Sequence, residues 1–174
     1  MVREILLLGH PVLRQRCEAV RNFRDPAVKE ALADMEDTLT DFRRRRGFGR
    51  GIAAPQIGVG RRIIFVQIDR PIALLNARIT GRSRQLMTLW DDCFSFPEIV
   101  VKVRRNVRIS IEYRDPAGSR QTLTATGDLS ELLQHEIDHT DGVLAIDRAV
   151  DSRHIILRSE WKKIVEPHRE TAPL

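Results

Sequence analysis

Two histidines four positions apart, with a glutamate directly after the first, form the strongest chemical signal in this sequence. The segment is His135-Glu136-Ile137-Asp138-His139, an H-E-x-x-H motif. Histidines at this spacing lie on one face of a helix, so both imidazole rings can bind one metal ion. Glu136 would lie beside that ion and could take a proton from water. The motif therefore predicts a metallohydrolase site, whereas the alternative is two ordinary histidines on a helix.

A catalytic site of this kind has three protein ligands and one open position, so a third ligand must come from elsewhere. The longer metzincin pattern extends here as far as Gly142, but its last position is Ala145, which cannot bind a metal. Glu160 is a formal candidate, although a solvated surface role is the simpler interpretation. Cys93 is the remaining candidate, because a thiolate binds soft and borderline metals strongly. A single cysteine taken alone is more often a small buried apolar residue.

A long helix is predicted ahead of these residues. Asp25 is a good N-cap, Pro26 is tolerated at the first helical position, and Gly47 is a typical stop. Between them, apolar residues recur at spacings of three and four, namely Val28, Leu32, Met35, Leu39 and Phe42. The helix ends in four arginines, Arg43 to Arg46. A ribosome-facing patch is one interpretation of this charge run, and a solvated helix end is the favoured one.

Two further helices are predicted in the second half of the chain. The H-E-x-x-H helix is expected to begin at Asp128, with Glu131 completing a capping box, and to end at Gly142. Another helix is expected to follow Asp151-Ser152 and to be closed by Pro167.

Segments rich in valine and isoleucine predict β-strands between the helices. The candidate strands are residues 62–68, 72–79 (turning at Asn76), a pair within 99–113 broken near Arg105, and 121–125. Strands in the middle of the chain with helices on both sides predict an α+β fold. The absence of repeats or linkers predicts a single domain over residues 1–174.

Composition bounds the class of protein without specifying its chemistry. The 174 residues are 42% hydrophobic and 30% charged, as in ordinary globular proteins, and the net charge is +5. A basic surface suits acidic partners but does not predict nucleic-acid specificity. Cys17 and Cys93 do not form a disulfide framework. The apolar run Ile5 to Leu8 is too short for a signal peptide, and no segment is long enough to cross a membrane, so a cytoplasmic protein is expected.

Three ordered segments resemble the motifs of the peptide deformylase family. Gly49-Arg50-Gly51-Ile52-Ala53-Ala54-Pro55-Gln56-Ile57-Gly58 resembles G-x-G-[LI]-A-A-x-Q-[IV]-G. Asp91-Asp92-Cys93-Phe94-Ser95 is similar to E-G-C-[LM]-S, and the segment from Gln134 to Gly142 resembles Q-H-E-x-D-H-[LM]-x-G. The similarity extends over about residues 5–150, and three motifs in order are far more specific than one.

This resemblance implies both a fold and a reaction. The fold would have antiparallel or mixed sheets packed around a central metal-binding helix, with an N-terminal and a C-terminal helix. Cys93, His135 and His139 would bind one divalent metal ion, Fe(II) in most members, with zinc, nickel or cobalt able to occupy the site. The reaction would be removal of the N-formyl group from the N-terminal formylmethionine of nascent polypeptides. The expected partners are N-formylmethionyl peptides, with the ribosome as a candidate, and the protein is expected to be a monomer.

The resemblance also implies a role for individual residues. Glu136 would act as the base and would later pass its proton to the leaving amine. The side-chain amide of Gln56 and the backbone N–H of Phe94 would stabilise the oxyanion. The substrate-binding residues would be Gly49, Gly51 and Ile52, and the residues expected to orient the ligands are Gln134 and Asp138.

Several positions differ from the family pattern. Asp92 replaces a glycine, adding bulk and a negative charge that could narrow the pocket or recognise a cationic group, so Asp92 is a candidate substrate-binding residue. Phe94 replaces a leucine, and Arg50 fills a position that is usually apolar. Two alternatives therefore stay open: an amidase of the same type acting on another N-acyl or N-formyl substrate, and a catalytically silent metal-binding interaction domain. The intact Glu136 and Gln56 disfavour the silent domain.

Overall fold

The computed structural model describes residues 1–165, and the predicted strands and the first two predicted helices occur in the expected order. Strands at residues 51–53, 86–92 and 155–157 are additional, since the sequence pattern does not predict them. The helices are α1 (Pro26–Arg46), α2 (Gly127–Thr140) and α3 (Arg158–Val165). The strands are β1 (Gly51–Ala53), β2 (Ile63–Gln67), β3 (Pro71–Arg82), β4 (Leu86–Asp92), β5 (Ile99–Asn106), β6 (Arg108–Arg114), β7 (Arg120–Thr126) and β8 (Ile155–Leu157). Short 3-10 turns at residues 11–14, 54–57, 145–148 and 152–154 connect them. The predicted α+β class is confirmed.

The strands form two antiparallel sheets. One has five strands in the order β1-β2-β3-β6-β7, and the other has three in the order β4-β5-β8. β5 and β6 are separated only by Val107, yet they belong to different sheets and pair with different partners. β3 continues through Asn76, where a positive φ of 55° accompanies a register shift. The predicted strand positions are therefore correct, but the hydrophobic pattern did not reveal how the strands divide between sheets.

Helix α1 is capped as its sequence predicts. The Asp25 side chain accepts a hydrogen bond from the Ala27 amide at 3.0 Å. At the other end, Gly47 adopts a φ of 78° and donates its amide to the Arg43 carbonyl at 2.9 Å. The buried apolar face of α1, which includes Val28, Met35, Leu39 and Phe42, packs with residues of β1 and β2 in one core cluster. The helix thus supports the glycine-containing loop that follows it.

Helix α2 lies at the centre of the molecule, and every residue from Ser130 to Thr140 is buried. Its N-cap is Thr126, so the predicted capping box at Asp128 is wrong. Glu131 instead forms an ion pair with Arg50, a long-range contact that a local capping pattern cannot show. The apolar Leu133 and Ile137 face the core of the five-stranded sheet.

The C-terminal region differs from the prediction of one helix after Asp151-Ser152. The Asp151 side chain caps a short turn by accepting a hydrogen bond from the Arg153 amide at 2.9 Å, and residues 155–157 then form β8. β8 pairs with residues 99–101 of β5, so tertiary pairing overrides the helical spacing of Ile155 and Ile156. Helix α3 begins only at Arg158. Pro167, the predicted end of this helix, lies outside the described residues.

The two cysteines are free and buried. The amide of Cys17 donates to the carbonyl of Thr140 at 2.9 Å, which joins the N-terminal segment to the end of α2. Burial raises the pKa of the Cys17 thiol to about 11. Across residues 1–165, none of the helices combines the length and apolar character that a membrane span requires.

Candidate metal centre

Helix α2 and the end of β4 bring the three predicted ligands together. The Nε2 atoms of His135 and His139 lie 3.1 Å apart, because the two residues are one turn apart on the same face. Cys93 follows β4 directly, and its Sγ lies 3.3 Å from Nε2 of His139. The three ligand atoms all lie within 4.8 Å of one another, and the three residues are buried.

This arrangement fits a divalent metal ion. Metal–sulfur and metal–nitrogen bonds of about 2.3 Å and 2.0–2.1 Å place neighbouring ligand atoms roughly 3–4 Å apart around one ion. A thiolate with two imidazoles suits iron, zinc, nickel or cobalt better than magnesium or calcium. One carboxylate oxygen of Glu136, Oε2, is buried and has no hydrogen-bond partner within residues 1–165, as expected for a group that serves a bound ligand.

Asp91 orients the first histidine. Its carboxylate lies 2.9 Å from Nδ1 of His135, so Nδ1 carries the proton and Nε2 is free to bind a metal. Burial opposes ionisation of Asp91, but the charges and hydrogen bonds of His135 and Arg105 hold the pKa of Asp91 below its usual value. The sequence analysis noted Asp91 only as part of a motif and assigned it no function.

Buried Arg105 links Asp91 to helix α2. Its Nη2 is 3.2 Å from Asp91, and its Nη1 bonds to Asp138, which also accepts Arg148 Nη2 at 2.8 Å. Asp138 therefore acts on the ligands through Arg105, without touching them. Gln134 bonds the amide and carbonyl of Asn106, at 3.1 Å and 2.9 Å, and so fixes the junction between β5 and β6.

Glu136 lies in a confined, buried position. Burial raises its pKa to about 7, and the neighbouring negative charge of Asp91 adds to the effect. A Cβ atom at Gly51 would lie 2.8 Å from Oε1 of Glu136, so the glycine gives the carboxylate its space. A carboxyl group whose pKa is near neutrality can both accept and return a proton.

The two predicted oxyanion donors lie next to the ligand Cys93. Gln56 Oε1 accepts from the Ala53 amide at 2.9 Å, which turns Nε2 toward Ser95 Oγ at 3.4 Å and Cys93 Sγ at 3.6 Å. Within the described residues, the Phe94 amide makes no hydrogen bond and so remains available to a ligand. Both donors belong to turns, where the backbone does not form the hydrogen bonds of a β-sheet.

The glycine-containing loop is shaped around the Phe94 ring. Gly49 adopts a φ of 119°, and a Cβ atom there would overlap that ring. Phe94 stacks on Phe42 at a centroid distance of 3.9 Å, and Phe48 meets Phe42 edge-on at 5.2 Å. Ile52 is fully buried, so only its backbone can meet a substrate. β1 is an edge strand, and an extended peptide could pair with its free side.

Asp92 is paired with a residue of the C-terminal helix. Its carboxylate lies 3.0 Å from Nη2 of Arg158. The same guanidinium donates through Nε to the Pro97 carbonyl at 2.7 Å and lies over the Phe48 ring, 4.1 Å from its centroid. The sequence analysis did not identify Arg158, because nothing in its local pattern points to a residue 66 positions away.

The other sequence candidates lie outside the centre. Glu160 is exposed and pairs with Lys163 at 2.7 Å. Of the four arginines at the end of α1, Arg44 and Arg45 pair with Asp41 at 2.8 Å and 2.7 Å, and Arg46 pairs with Glu98 at 2.8 Å. Arg43 differs, because it lines the cavity in front of the predicted ligands.

A cavity of about 440 Å³ leads from the surface to the ligands. Cys93, His135, Glu136 and Gln56 line its inner end. Its walls include the loop from Gly47 to Gly51, the segment from Trp90 to Asp92, and two residues of α2, Glu131 and Leu132. Trp90 and Glu131 were not expected in these walls, because no sequence motif marks them. The whole arrangement can hold an extended ligand with one end at the metal ligands.

Comparisons with known proteins agree with this geometry. The family model described as polypeptide deformylase matches residues 2–154, which contain all three motifs. The peptide deformylase of Dictyoglomus thermophilum is 38% identical, over 87% of this chain and 95% of that protein. The crystal structure of peptide deformylase from Thermotoga maritima has a TM-score of 0.81 at 32% identity, covering 87% of this chain and 99% of that one. The peptide deformylase from Synechococcus elongatus in complex with actinonin has a TM-score of 0.80 at 28% identity, covering 99% and 91%.

Proposed function

Because this chain belongs to the polypeptide deformylase family, we propose that it hydrolyses the N-formyl amide of formylmethionine at the N-terminus of nascent polypeptides. The observation that carries the proposal is the buried group of Cys93, His135 and His139 with Glu136 beside it at the inner end of an open cavity. A metal-binding interaction module would need neither Glu136 nor the Gln56 amide. The proposed site of action is the cytoplasm, where nascent chains are made, and the proposed form is a monomer.

Cys93, His135 and His139 would hold the metal ion, and we propose Fe(II), with zinc, nickel or cobalt able to replace it. A divalent ion held there supplies Lewis-acid chemistry, because it polarises a carbonyl group and makes water a nucleophile near neutral pH. Asp91 keeps His135 in the tautomer that leaves Nε2 free.

Glu136 moves the proton. Its ionised carboxylate takes a proton from the attacking water and returns it to the nitrogen of the leaving amine. The burial that raises its pKa to about 7 suits both steps at neutral pH, since neither form is strongly disfavoured.

Gln56 and Phe94 would stabilise the negative charge that develops on the formyl oxygen. The Gln56 amide is held in place by its bond to the Ala53 amide, so it need not reorganise during the reaction. The peptide that follows the formyl group would extend along β1, where Gly51 lets the backbone approach Glu136 closely.

The test is a deformylation assay with formyl-Met-Ala-Ser under anaerobic conditions, using protein loaded with Fe(II) or Ni(II). Wild type should turn over, and Glu136→Ala should lose at least about a hundred-fold in kcat, since proton transfer contributes about 10²–10⁴-fold. Glu160→Ala is the matched control, because Glu160 is exposed and is not among the residues that line the cavity. Absence of turnover by wild-type protein with metal measurably bound would reject the proposal.

A further inference from the structure

An ion pair lies in the wall of the substrate cavity. Arg50 Nη2 is 2.6 Å from Glu131 Oε2, and both residues line the cavity. The Glu131 side chain is only 7% exposed, whereas that of Arg50 is 42% exposed. The guanidinium is therefore the accessible partner of the pair, whereas the carboxylate is almost completely buried.

The pair lies close to the reacting centre. Glu131 precedes His135 by one helical turn, so the two side chains share a face of α2. Carboxylate oxygens of Glu131 and Asp91 and a ring nitrogen of His135 lie within 4.8 Å of one another. Arg50 stands between Gly49 and Gly51, and a Cβ atom at Gly51 would lie 2.8 Å from Oε1 of Glu136. Arg50 and Glu131 therefore border the part of the cavity next to the proposed metal ligands, where the residue that carries the hydrolysed amide would lie.

The chemistry of the pair favours some side chains over others. Covering an ion pair with a hydrocarbon removes water from two charges without replacing its hydrogen bonds. A guanidinium has five N–H donors, and Glu131 is the one hydrogen-bond acceptor that Arg50 has among residues 1–165. A ligand oxygen can accept from the remaining donors, and hydrogen bonds to charged groups are the stronger kind.

We propose that Arg50 and Glu131 form a specificity-determining pair that selects the formylated residue by the hydrogen-bond acceptor on its side chain. Among side chains of similar length, an amide or sulfoxide oxygen binds better than the thioether of methionine, and the thioether binds better than a hydrocarbon. Glu131 holds Arg50 in position, and Arg50 contacts the acceptor. Leu132 and Trp90 provide apolar contacts for the stem of the side chain. This proposal rests on the proposed function, since it concerns the substrate of the same site.

The test compares three tripeptides of nearly equal size: formyl-Gln-Ala-Ser, formyl-Met-Ala-Ser and formyl-Nle-Ala-Ser, in which Nle is norleucine. The decisive variant is the double substitution Arg50→Leu with Glu131→Leu, because either single substitution would leave an unpaired charge in the wall. The matched control is Arg78→Ala with Glu112→Ala, which removes a pair of similar length, 2.7 Å, from the exposed surface of β3 and β6. Thermal melting establishes that each variant is folded.

Two quantities are measured, so that side-chain selection can be tested independently of hydrolysis. The first is kcat/KM for each peptide with metal-loaded enzyme. The second is the Kd of each peptide for metal-loaded protein carrying Glu136→Gln, with and without the double substitution, measured by calorimetry.

In wild type, we expect kcat/KM to be about ten-fold higher for the glutamine peptide than for the norleucine peptide, which corresponds to about one good hydrogen bond. The double variant should reverse this order, and the control should preserve it. The Kd values should follow the same order, whether or not any peptide is hydrolysed. Two outcomes would overturn the assignment of Arg50 and Glu131. In the first, wild type does not prefer the glutamine peptide. In the second, the double variant prefers it as strongly as wild type does. Lack of turnover with the expected order of Kd would reject only the proposed reaction.

Discussion

At the scale of single residues, the proposed metal ligands depend on side chains that do not belong to the ligand set. Asp91 accepts the Nδ1 proton of His135 at 2.9 Å and is itself held by Arg105 at 3.2 Å. The bond to Asp91 determines which ring nitrogen is free to bind a metal, and the bond to Arg105 keeps Asp91 charged in a buried position.

Replacing Asp91 should weaken metal binding. We expect Asp91→Asn to lower metal affinity by about 10–100-fold, because the histidine then loses its charged acceptor. Competition with a chelator of known affinity measures the change. Asp91→Glu, which keeps the charge, is the control and should retain most of the affinity. Equal affinities for wild type and Asp91→Asn would show that the histidine is oriented by other contacts.

The buried thiol of Cys17 should make stability depend on alkaline pH. Burial raises its pKa from 9.0 to about 11, so the folded form holds its proton after the unfolded form has lost it. This contribution is fully present below pH 9 and is lost as pH rises from 9 to 11. It amounts to at most about 2–3 kcal/mol, since one pKa unit corresponds to about 1.4 kcal/mol. Urea denaturation between pH 8 and pH 11 should therefore show a shallower decline for Cys17→Ala than for wild type. Parallel declines would exclude the thiol as the cause.

The sequence predicted the site residues to the extent that local spacing determines them. Four-residue spacing on a helix was enough to bring His135 and His139 together, and the motif match was needed for Cys93 and Gln56. Arg105 and Arg158 could not be predicted, because their partners are distant along the chain and arginines on strands and helix ends are usually solvated.

At the scale of elements, the C-terminal β8–α3 segment connects two parts of the cavity wall. β8 pairs with β5, which places Arg158 where it can bond Asp92 and the Pro97 carbonyl and cover the Phe48 ring. One side chain therefore joins the strand that carries Cys93 to the loop that carries Gly49 and Gly51.

Removing the Arg158 side chain should make the loop from Gly47 to Gly51 more mobile. We expect Arg158→Ala to raise KM by several-fold and to lower kcat by less, because the metal ligands and Glu136 do not depend on it. Steady-state kinetics with formyl-Met-Ala-Ser measures the changes in KM and kcat separately. Adding Asp92→Gly to Arg158→Ala should recover part of the loss, since it removes the unpaired carboxylate. Arg153→Ala is the control, because Arg153 is an exposed arginine whose ion-pair partner is its near neighbour Asp151. A fall in kcat alone would contradict this positioning role.

Helices whose boundaries are encoded locally were predicted well, and elements defined by distant partners were not. Asp25, Pro26 and Gly47 mark α1 correctly, because an N-cap and a left-handed C-cap are short-range features. The sequence predicts helix where β8 forms, because the strand conformation of β8 depends on the edge of β5. It predicts a capping box that includes Glu131, because the actual partner of Glu131, Arg50, is 81 residues away.

At the scale of the whole molecule, the proposed metal centre lies where the two sheets meet α2. Cys93 follows a strand of the small sheet, Gln56 follows a strand of the large sheet, and the histidines belong to the helix between them. The α+β class follows from the order of the elements along the chain. The assignment of β5 and β6 to separate sheets does not, because hydrophobic alternation does not specify which strand pairs with which.

Metal binding should therefore stabilise the entire fold. An ion that binds only the native form adds about 2.7 kcal/mol when its concentration is 100 times its Kd. Metal-loaded wild type should melt several degrees above the metal-free protein in differential scanning calorimetry. Cys93→Ser should lose most of this difference, whereas Cys17→Ala should keep it. An identical melting temperature with and without metal would mean that the centre does not link the sheets.

The proposed ligands and the Gln56 donor come from segments that are far apart in the chain, and this affects the order in which the molecule assembles. Gln56 precedes Cys93 by 37 residues, and Cys93 precedes His139 by 46. Contacts over such distances require large loops to close, so we expect them to form late on the folding path. Interactions absent from the transition state slow unfolding without accelerating folding. A bound ion should therefore lengthen the lifetime of the folded enzyme while leaving its folding rate unchanged.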